Sequence, residues 1–445
     1  MKPPVGPKPS NQSECDPNGP CSCHYQVIGF ISGDLGLGEA GRHSLRRMGH
    51  LGIPTTTIDI DTGDHRSGQN QEFAGAIESP PHQWRGRINL FHLNPTEFER
   101  LVLRQHPRIP LVSKLNVIVP FWEIPVLPED WLTQLIAMDC VLAPTRFIQD
   151  IVSQHCPGKY VIHYPQKVDV SEPAIANRPR FGVPEGAFVF LCAFDAMSDA
   201  ARKNPWAVIT AFKKAFTSDE GFHLVIKVAN PQFDGVGEKL RQKFAGDSRI
   251  QLIGEMLPQD ELRQLYASCD ALVSLHRSEG LGFIIMEMMA QAKPCIVTGW
   301  SGNMDFTTEE NSCLVDFKMV PMESNHPGYR AVAQTPGVQW ADADIDSAVG
   351  WMRKLAADPG LCKRIGTQAR QTMIEMSADD CAEVFAKLDA MSRGDFKRPT
   401  ATRAHLRRLR RKHFGRTIKR FLRGKNWERK RKRVRISSRR HRPRA

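Results

Sequence analysis

The chain has 445 residues, 41% of them hydrophobic, which bounds it as a globular protein of two or three domains with sizeable cores. Its net charge of +13 is uneven: residues 397–445 hold 23 Lys and Arg against one acid, Glu428, while the remainder carries 38 basic against 47 acidic residues. That split excludes a uniformly basic body and marks an appended interaction segment, and no run of about 18 apolar residues calls for a transmembrane helix.

Residues 1–23, rich in Pro, Asn, Ser and Gly, lack the apolar core of a signal peptide and read as a disordered lead-in. Cys15, Cys21, Cys23 and His24 cluster there, but their spacing fits no common zinc pattern, so no metal is assigned. Most other cysteines, such as Cys192, Cys269 and Cys295, stand singly in apolar surroundings and read as reduced core residues of a cytoplasmic protein.

The first predicted strand is Tyr25–Phe30. A glycine loop, Gly33–Glu39, follows, and a helix is expected from Ala40 to Leu51. Strands follow at Thr55–Ile60, Ile88–Leu93, Asn116–Pro120 and Cys140–Ala143, with a helix from about Thr145. After a loop near 171–184 a second alternation begins. It has strands at Phe188–Ala193, His223–Val228, Ile250–Ile253, Ala271–Leu275, Cys295–Thr298 and Cys313–Val315, a helix at Pro205–Phe216 and a closing helix at Met373–Met391. Two such runs predict an α/β protein of two doubly wound parallel sheets, with ligands at the carboxyl ends of the strands.

The segment Ser278–Glu287 (SEGLGFIIME) is the most informative. Two acids, Glu279 and Glu287, bracket Gly280-Leu281-Gly282 and Phe283 after an apolar strand, a pattern of strand, tight loop and helix. Free N–H groups at a helix start suit a phosphate, and glycines let a ligand approach the backbone. With about 3.6 residues per turn, Glu287 falls two turns after Glu279 on the same side. One acid then serves sugar hydroxyls and the other a ribose. Solvated glutamates on a surface helix are the plainer reading.

Other motifs add to this. Arg202-Lys203 follows a strand and suits the charge gathered on a departing diphosphate, although cations at a helix start oppose its dipole. Gly36-x-Gly38-x-x-Gly41, with Asp59 or Asp61 about twenty residues on, matches a dinucleotide fingerprint. The alternative it supports is an NAD(P)-binding oxidoreductase, weakened because the fingerprint does not follow its strand at once.

Together, Ser278–Glu287 and the following stretch Met288–Phe306 resemble the E-x7-E signature of retaining GT-B glycosyltransferases of family 4, the group 1 glycosyl transferases. The resemblance spans about residues 25–390. It implies two facing Rossmann-like domains with a C-terminal crossover helix: an acceptor-binding domain over 24–172, a nucleotide-sugar domain over 173–370, a returning helix over 371–396 and the basic tail over 397–445. It implies a UDP- or GDP-sugar donor, a glycan or lipid-linked acceptor, retention of configuration and no further cofactor or catalytic metal. Glu279 is then expected on the transferred sugar, Glu287 on the ribose, and Arg202 and Lys203 on the diphosphate. Gly36, Gly38, Gly280, Leu281, Gly282, Phe283 and Asn303 are expected around the donor. By chain order His92 matches the acceptor-domain histidine near the sugar, a structural histidine being the other reading. Glu123 and Trp122 are expected near the acceptor, unless they belong to the core.

In the tail, Leu406, Leu409, Phe414, Ile418, Phe421, Leu422 and Trp427 run through arginines at rough helical spacing. This suits peripheral attachment to an anionic membrane face. Nucleic acid is the competing partner, and a solvated tail without a fixed partner is the third reading. A non-catalytic GT-B-like protein acting through that tail is the remaining alternative.

Overall fold

The computed structural model describes residues 24–61, 70–78, 86–103, 105–106, 109–217, 221–395 and 404–409. The lead-in, the cysteines at 15, 21 and 23, and nearly all of the basic tail lie outside the described residues. The first sheet has six parallel strands: β1 Tyr25–Gly29, β2 Thr55–Asp59, β3 Ile88–His92, β4 Leu115–Ile118, β5 Cys140–Ala143 and β6 Tyr160–His163, in the order β2-β1-β3-β4-β5-β6. The second also has six: β7 Phe188–Asp195, β8 Phe222–Ala229, β9 Ile250–Ile253, β10 Ala271–Ser274, β11 Cys295–Thr298 and β12 Cys313–Val315, in the order β12-β11-β10-β7-β8-β9.

These strands are short apolar runs because both faces of each sheet are covered. Side chains alternate across the sheet. In the first, Val27, Leu90, Val117 and Leu142 join one core, and Ile28, Phe91, Ile118 and Val141 join another. In the second, Phe190, Leu224 and Val273 separate in the same way from Leu191, Val225 and Leu272.

Strand order reverses between β1 and β3 in the first sheet and between β7 and β10 in the second. At such a reversal the loops leave toward opposite faces and open a crevice at the strands' carboxyl ends. Gly36 and Gly38 follow β1, Arg202 and Lys203 follow β7, and Glu279 to Phe283 follow β10, while His92 ends β3 and Trp122 and Glu123 follow β4.

Four features differ from the sequence expectation. The first helix spans Gly36–His50, so Gly36 and Gly38 sit in its first turn rather than in a loop. A β-carbon on Gly38 would lie 2.4 Å from the Gly33 carbonyl oxygen and 2.5 Å from that of Phe30, so glycine there lets the helix start pack on its own loop. The closing helix is two helices, Pro359–Ala378 and Ala382–Ala390. They are separated where the Asp379 carboxylate accepts the Cys381 N–H (2.7 Å) and Cys381 adopts φ +52°. Ala382–Ala390 crosses back to the first sheet, where Phe385 packs on Tyr25 and accepts its hydroxyl (3.2 Å).

Strand β6 was not anticipated. Nor was an antiparallel pair, β13 Phe317–Pro321 and β14 Gln339–Ala343. The excursion between its strands, 322–338, leaves the second sheet's half, and its Met322, Tyr329, Val332 and Val338, with Trp340 of β14, join a core of the first. The short helical turn 404–409 likewise buries Leu406 and Leu409 in that core, and His405 Nε2 contacts the Thr133 carbonyl at 2.9 Å.

Candidate active site

After β7 the chain makes one tight turn. Asp199, at φ +67°, accepts the Ala201 N–H (2.9 Å), and Asn204 takes the left-handed conformation before Pro205 opens the next helix. Arg202 and Lys203 are thereby fixed between two caps. After β10, Arg277 donates its N–H to the Arg202 carbonyl (2.7 Å) and Glu279 donates its N–H to the Ser301 hydroxyl (2.8 Å). The two connections meet at the crevice. Lys203 Nζ donates to Glu279 Oε1, and Arg202 Nη1 donates to Glu279 Oε2 (3.2 Å) and to the Ser278 carbonyl (2.7 Å). Burial alone would raise the Glu279 carboxyl, but the Lys203 and Arg202 cations outweigh it and hold it down at about 2.

Arg202 is 2% exposed. Its Nη2 donates to the Ser198 carbonyl (3.0 Å) and lies 3.6 Å from Glu123 Oε1. The guanidinium is thus committed to protein groups, and Lys203, with a side chain 15% exposed, is the cation nearer the open cleft.

The glycines around Glu279 bring backbones together. A β-carbon on Gly280 would lie 2.9 Å from the Trp122 carbonyl oxygen in the first half, and one on Gly302 would lie 2.3 Å from the Gly280 oxygen. Thr145 donates its hydroxyl to that same Gly280 oxygen (2.9 Å), so the loop is clamped between the halves. Gly282, at φ +98°, starts helix Phe283–Ala290. Leu281 is buried in the second half's core, while Phe283 is half-buried and faces Phe121, His43 and Gly36 across the cleft.

One turn into that helix, Glu287 accepts the Tyr266 hydroxyl (3.2 Å). Burial, and then the charge of Glu39 across the cleft, push its carboxyl up to about 7. Asn303 is fully enclosed. Its amide donates to the Thr298 carbonyl (3.1 Å) and Thr307 (3.2 Å), which places it beneath the turn 302–305.

In the first half, His92 ends β3 with no exposed surface, and neither ring nitrogen has a partner. Burial, reinforced by His43, lowers it to about 3, so the ring is neutral. His276 has the same character in the second half, lowered by burial to about 4. Buried polar atoms without partners are exceptions in folded proteins, and both rings lie beside a strand reversal. Asp59, a candidate for the ribose in the fingerprint reading, is taken by the Ser32 N–H (3.0 Å) and hydroxyl.

The structure thus gathers Arg202, Lys203 and Glu279 into one cluster, sets Gly36 against Phe283, and leaves His92 in a separate buried position. Sequence reasoning missed the Glu39 cluster, in which Arg42 (2.6 Å), His43 (2.9 Å) and Arg46 (3.0 Å) surround one carboxylate. The i+3, i+4 and i+7 spacing on the first helix was its available signal. It also missed Tyr329, whose hydroxyl donates to Glu123 Oε2 (2.7 Å) from 206 positions away. Among the described residues no group of three or more His, Cys, Asp or Glu could hold a metal, and His24 instead contacts the Thr56 hydroxyl (2.6 Å).

The two-sheet frame is shared with solved proteins. Sucrose-phosphate synthase from Thermosynechococcus elongatus matches at a TM-score of 0.59 and 13% identity, over 83% of this chain and 99% of that one. HepE from Anabaena, solved with UDP and glucose, matches at 0.54 and 13%, over 84% and 100%. TarM from S. aureus, solved with fondaparinux, α-GlcNAc-glycerol and UDP, matches at 0.48 and 13%, and this chain spans only 55% of it. The architecture is the GT-B fold. Within it, residues 188–322, which hold the second sheet and its crevice, match the model of the family glycosyl transferases group 1.

Proposed function

We propose that the protein is a retaining glycosyltransferase that moves a sugar from a nucleotide diphosphate donor to a glycan or lipid-linked acceptor. The observation that carries this reading is the Lys203–Glu279–Arg202 cluster at the β7/β10 reversal, one loop away from the start of helix 283–290. In the transfer, the bond between the anomeric carbon and the phosphate oxygen breaks and negative charge collects on that oxygen. Lys203 and the N–H groups at Gly282 and Phe283 stabilise it, and being fixed in advance they need no reorganisation. Arg202 acts behind them by holding Glu279, which accepts hydrogen bonds from the transferred sugar. Glu287 takes the ribose hydroxyls. The acceptor hydroxyl attacks from the face the diphosphate leaves, and its proton passes to the departing phosphate oxygen. Gly36 and Phe283 close the cleft over the donor, and Gly38, Gly280 and Asn303 shape it through the backbone. His92, fully enclosed at the end of β3, stays neutral and acts as a structural residue of the acceptor side. The match of 188–322 to the group 1 glycosyl transferases and the UDP and glucose bound to HepE support this assignment.

Thermal unfolding of the full-length protein with UDP, GDP, ADP and NAD(P) compounds tests it. A ligand at about 100 times its dissociation constant adds about 2.7 kcal/mol to stability. A shift with one nucleoside diphosphate, lost in Lys203→Ala, is expected. A shift with NAD(P) alone would replace this reading with an oxidoreductase.

For the tail we propose attachment to an anionic membrane at the cytoplasmic face. The supporting observation is that its root, 404–409, is docked on the acceptor-side half. Beyond residue 409 the sequence holds 18 Lys and Arg against one acid. Each cation near such a surface contributes about 1 kcal/mol. No helix among the described residues is long and apolar enough to cross a membrane. Full-length protein should sediment with phosphatidylglycerol vesicles, and a chain ending at 409 should not. Retention on RNA but not on vesicles would make nucleic acid the partner.

A further inference from the structure

A cavity of about 360 Å³ lies between the first half and the excursion 322–338. Most of its wall comes from the first half, including Trp122, Trp131, Glu97 and Glu123, and Tyr329 of the excursion closes the far side. Arg202 is the one member of the donor cluster that reaches it. The cavity and the donor crevice therefore share a single guanidinium wall. We propose that this cavity is the acceptor subsite and that it selects a pyranose without a carboxylate, with Tyr329 as a specificity-determining residue. The inference rests on the glycosyltransferase reading and deepens it.

Three observations support the chemistry. First, the walls are aromatic: Trp122 packs on Trp131 at 4.5 Å between ring centroids and on Tyr329 at 5.5 Å. A pyranose has apolar C–H faces and a polar hydroxyl rim, and pockets of a few hundred Å³ that combine apolar walls with a few polar groups suit such a molecule.

Second, the wall carries two carboxyl groups, Glu97 and Glu123. Glu97 Oε2 is buried without a partner, and burial raises that carboxyl. Glu123 is oriented by the Tyr329 hydroxyl on one oxygen and by Arg202 on the other. Of the two arginines on the wall, Arg202 is committed to Glu279, Ser278 and Ser198, which leaves Arg100. A carboxylate-bearing sugar would place its charge against two carboxyl groups, with Arg100 already acting on Glu97. A neutral sugar instead supplies hydroxyl hydrogens to oxygens that lack them, and a site built for hydrogen bonds loses affinity when they are not made.

Third, the match to group 1 glycosyltransferases ends at residue 322, where the excursion begins. The Tyr329 wall thus lies outside the matched segment. It is held firmly, since Met322, Val332, Val338 and Trp340 share a core with the first half, and Ser324 donates its hydroxyl to Asp199 (2.6 Å).

The test is saturation-transfer NMR on the full-length protein with methyl glucoside, galactoside and mannoside, against methyl glucuronide. At least one neutral glycoside should receive saturation, and the glucuronide should not. Tyr329→Phe and Glu97→Gln should each weaken the neutral glycoside about tenfold, the loss of one buried hydrogen bond. Leu37→Trp, which fills the cavity from the first helix without removing a polar group, should abolish the signal. Thermal unfolding of each variant reports that it is folded, and its shift with UDP or GDP reads the donor crevice separately. Failure of every neutral glycoside to bind, equal or better binding of glucuronide, or an unchanged signal in folded Leu37→Trp would overturn the inference while a nucleotide shift leaves the glycosyltransferase reading intact. Loss of the nucleotide shift in the unmodified protein would instead overturn that reading.

Discussion

The two strand reversals are built in contrasting ways. Where β7 and β10 part, a carboxylate and two cations are locked together, and burial makes their geometry expensive to disturb. Where β1 and β3 part, the buried group is a neutral histidine without partners, and the charges nearby belong to the first helix and pair among themselves. The first arrangement is preorganised for charge that develops during a reaction. The second presents a low-charge wall, against which a neutral molecule can lie without losing a strong interaction with water.

Removing Glu279 should break this contrast most severely. Arg202 would remain buried with its main counter-charge gone, and breaking a buried pair this way costs about 3–5 kcal/mol. Denaturant unfolding of Glu279→Ala should show that loss. Lys203→Ala should unfold nearly as the unmodified protein does, because its side chain is the more exposed partner, yet turnover should fall about 10²–10³-fold with the stabilising cation gone. A Lys203→Ala enzyme with unchanged kcat would remove the charged crevice from the mechanism.

Gly302→Ala tests the backbone rather than the charges. Its new methyl would sit 2.3 Å from the Gly280 carbonyl oxygen, and overpacking of this kind costs about 1–3 kcal/mol, visible as a lower Tm. Glu287 tests the pH dependence of stability. Its carboxyl is raised by burial and by Glu39 from 4.5 to about 7, so the folded state holds the proton longer than the unfolded chain does. Its contribution to stability is full below 4.5 and is lost as pH rises through about 7. Glu287→Gln should flatten the unfolding free energy against pH over that window. An unchanged slope would show that the carboxyl does not titrate there.

Much of this contrast was legible in local sequence, for reasons that differ by element. Strands such as Cys140–Ala143 and Cys295–Thr298 match their predicted limits because parallel strands covered on both faces read as unbroken apolar runs. The start of the first helix was misread because three glycines look like a loop, whereas Gly38 is required by the carbonyls beneath it. One closing helix was expected where two exist, since nothing local announces the Asp379–Cys381 turn. Gly280 read as a phosphate-approach glycine, and the structure shows what its missing side chain admits, the Trp122 backbone of the other half.

The sequence alone determined the two α/β runs, the placement of Glu279, Arg202 and Lys203 at strand ends, and the segregation of positive charge into 397–445. These depend on periodicity, strand length and composition, which act over a few residues. Tertiary structure decided which strand ends meet, that Arg202 is enclosed while Lys203 reaches toward the cleft, and that Tyr329 joins Glu123 across 206 positions. Contacts at that separation follow from how two sheets and an unpatterned excursion pack together, and no local propensity encodes them.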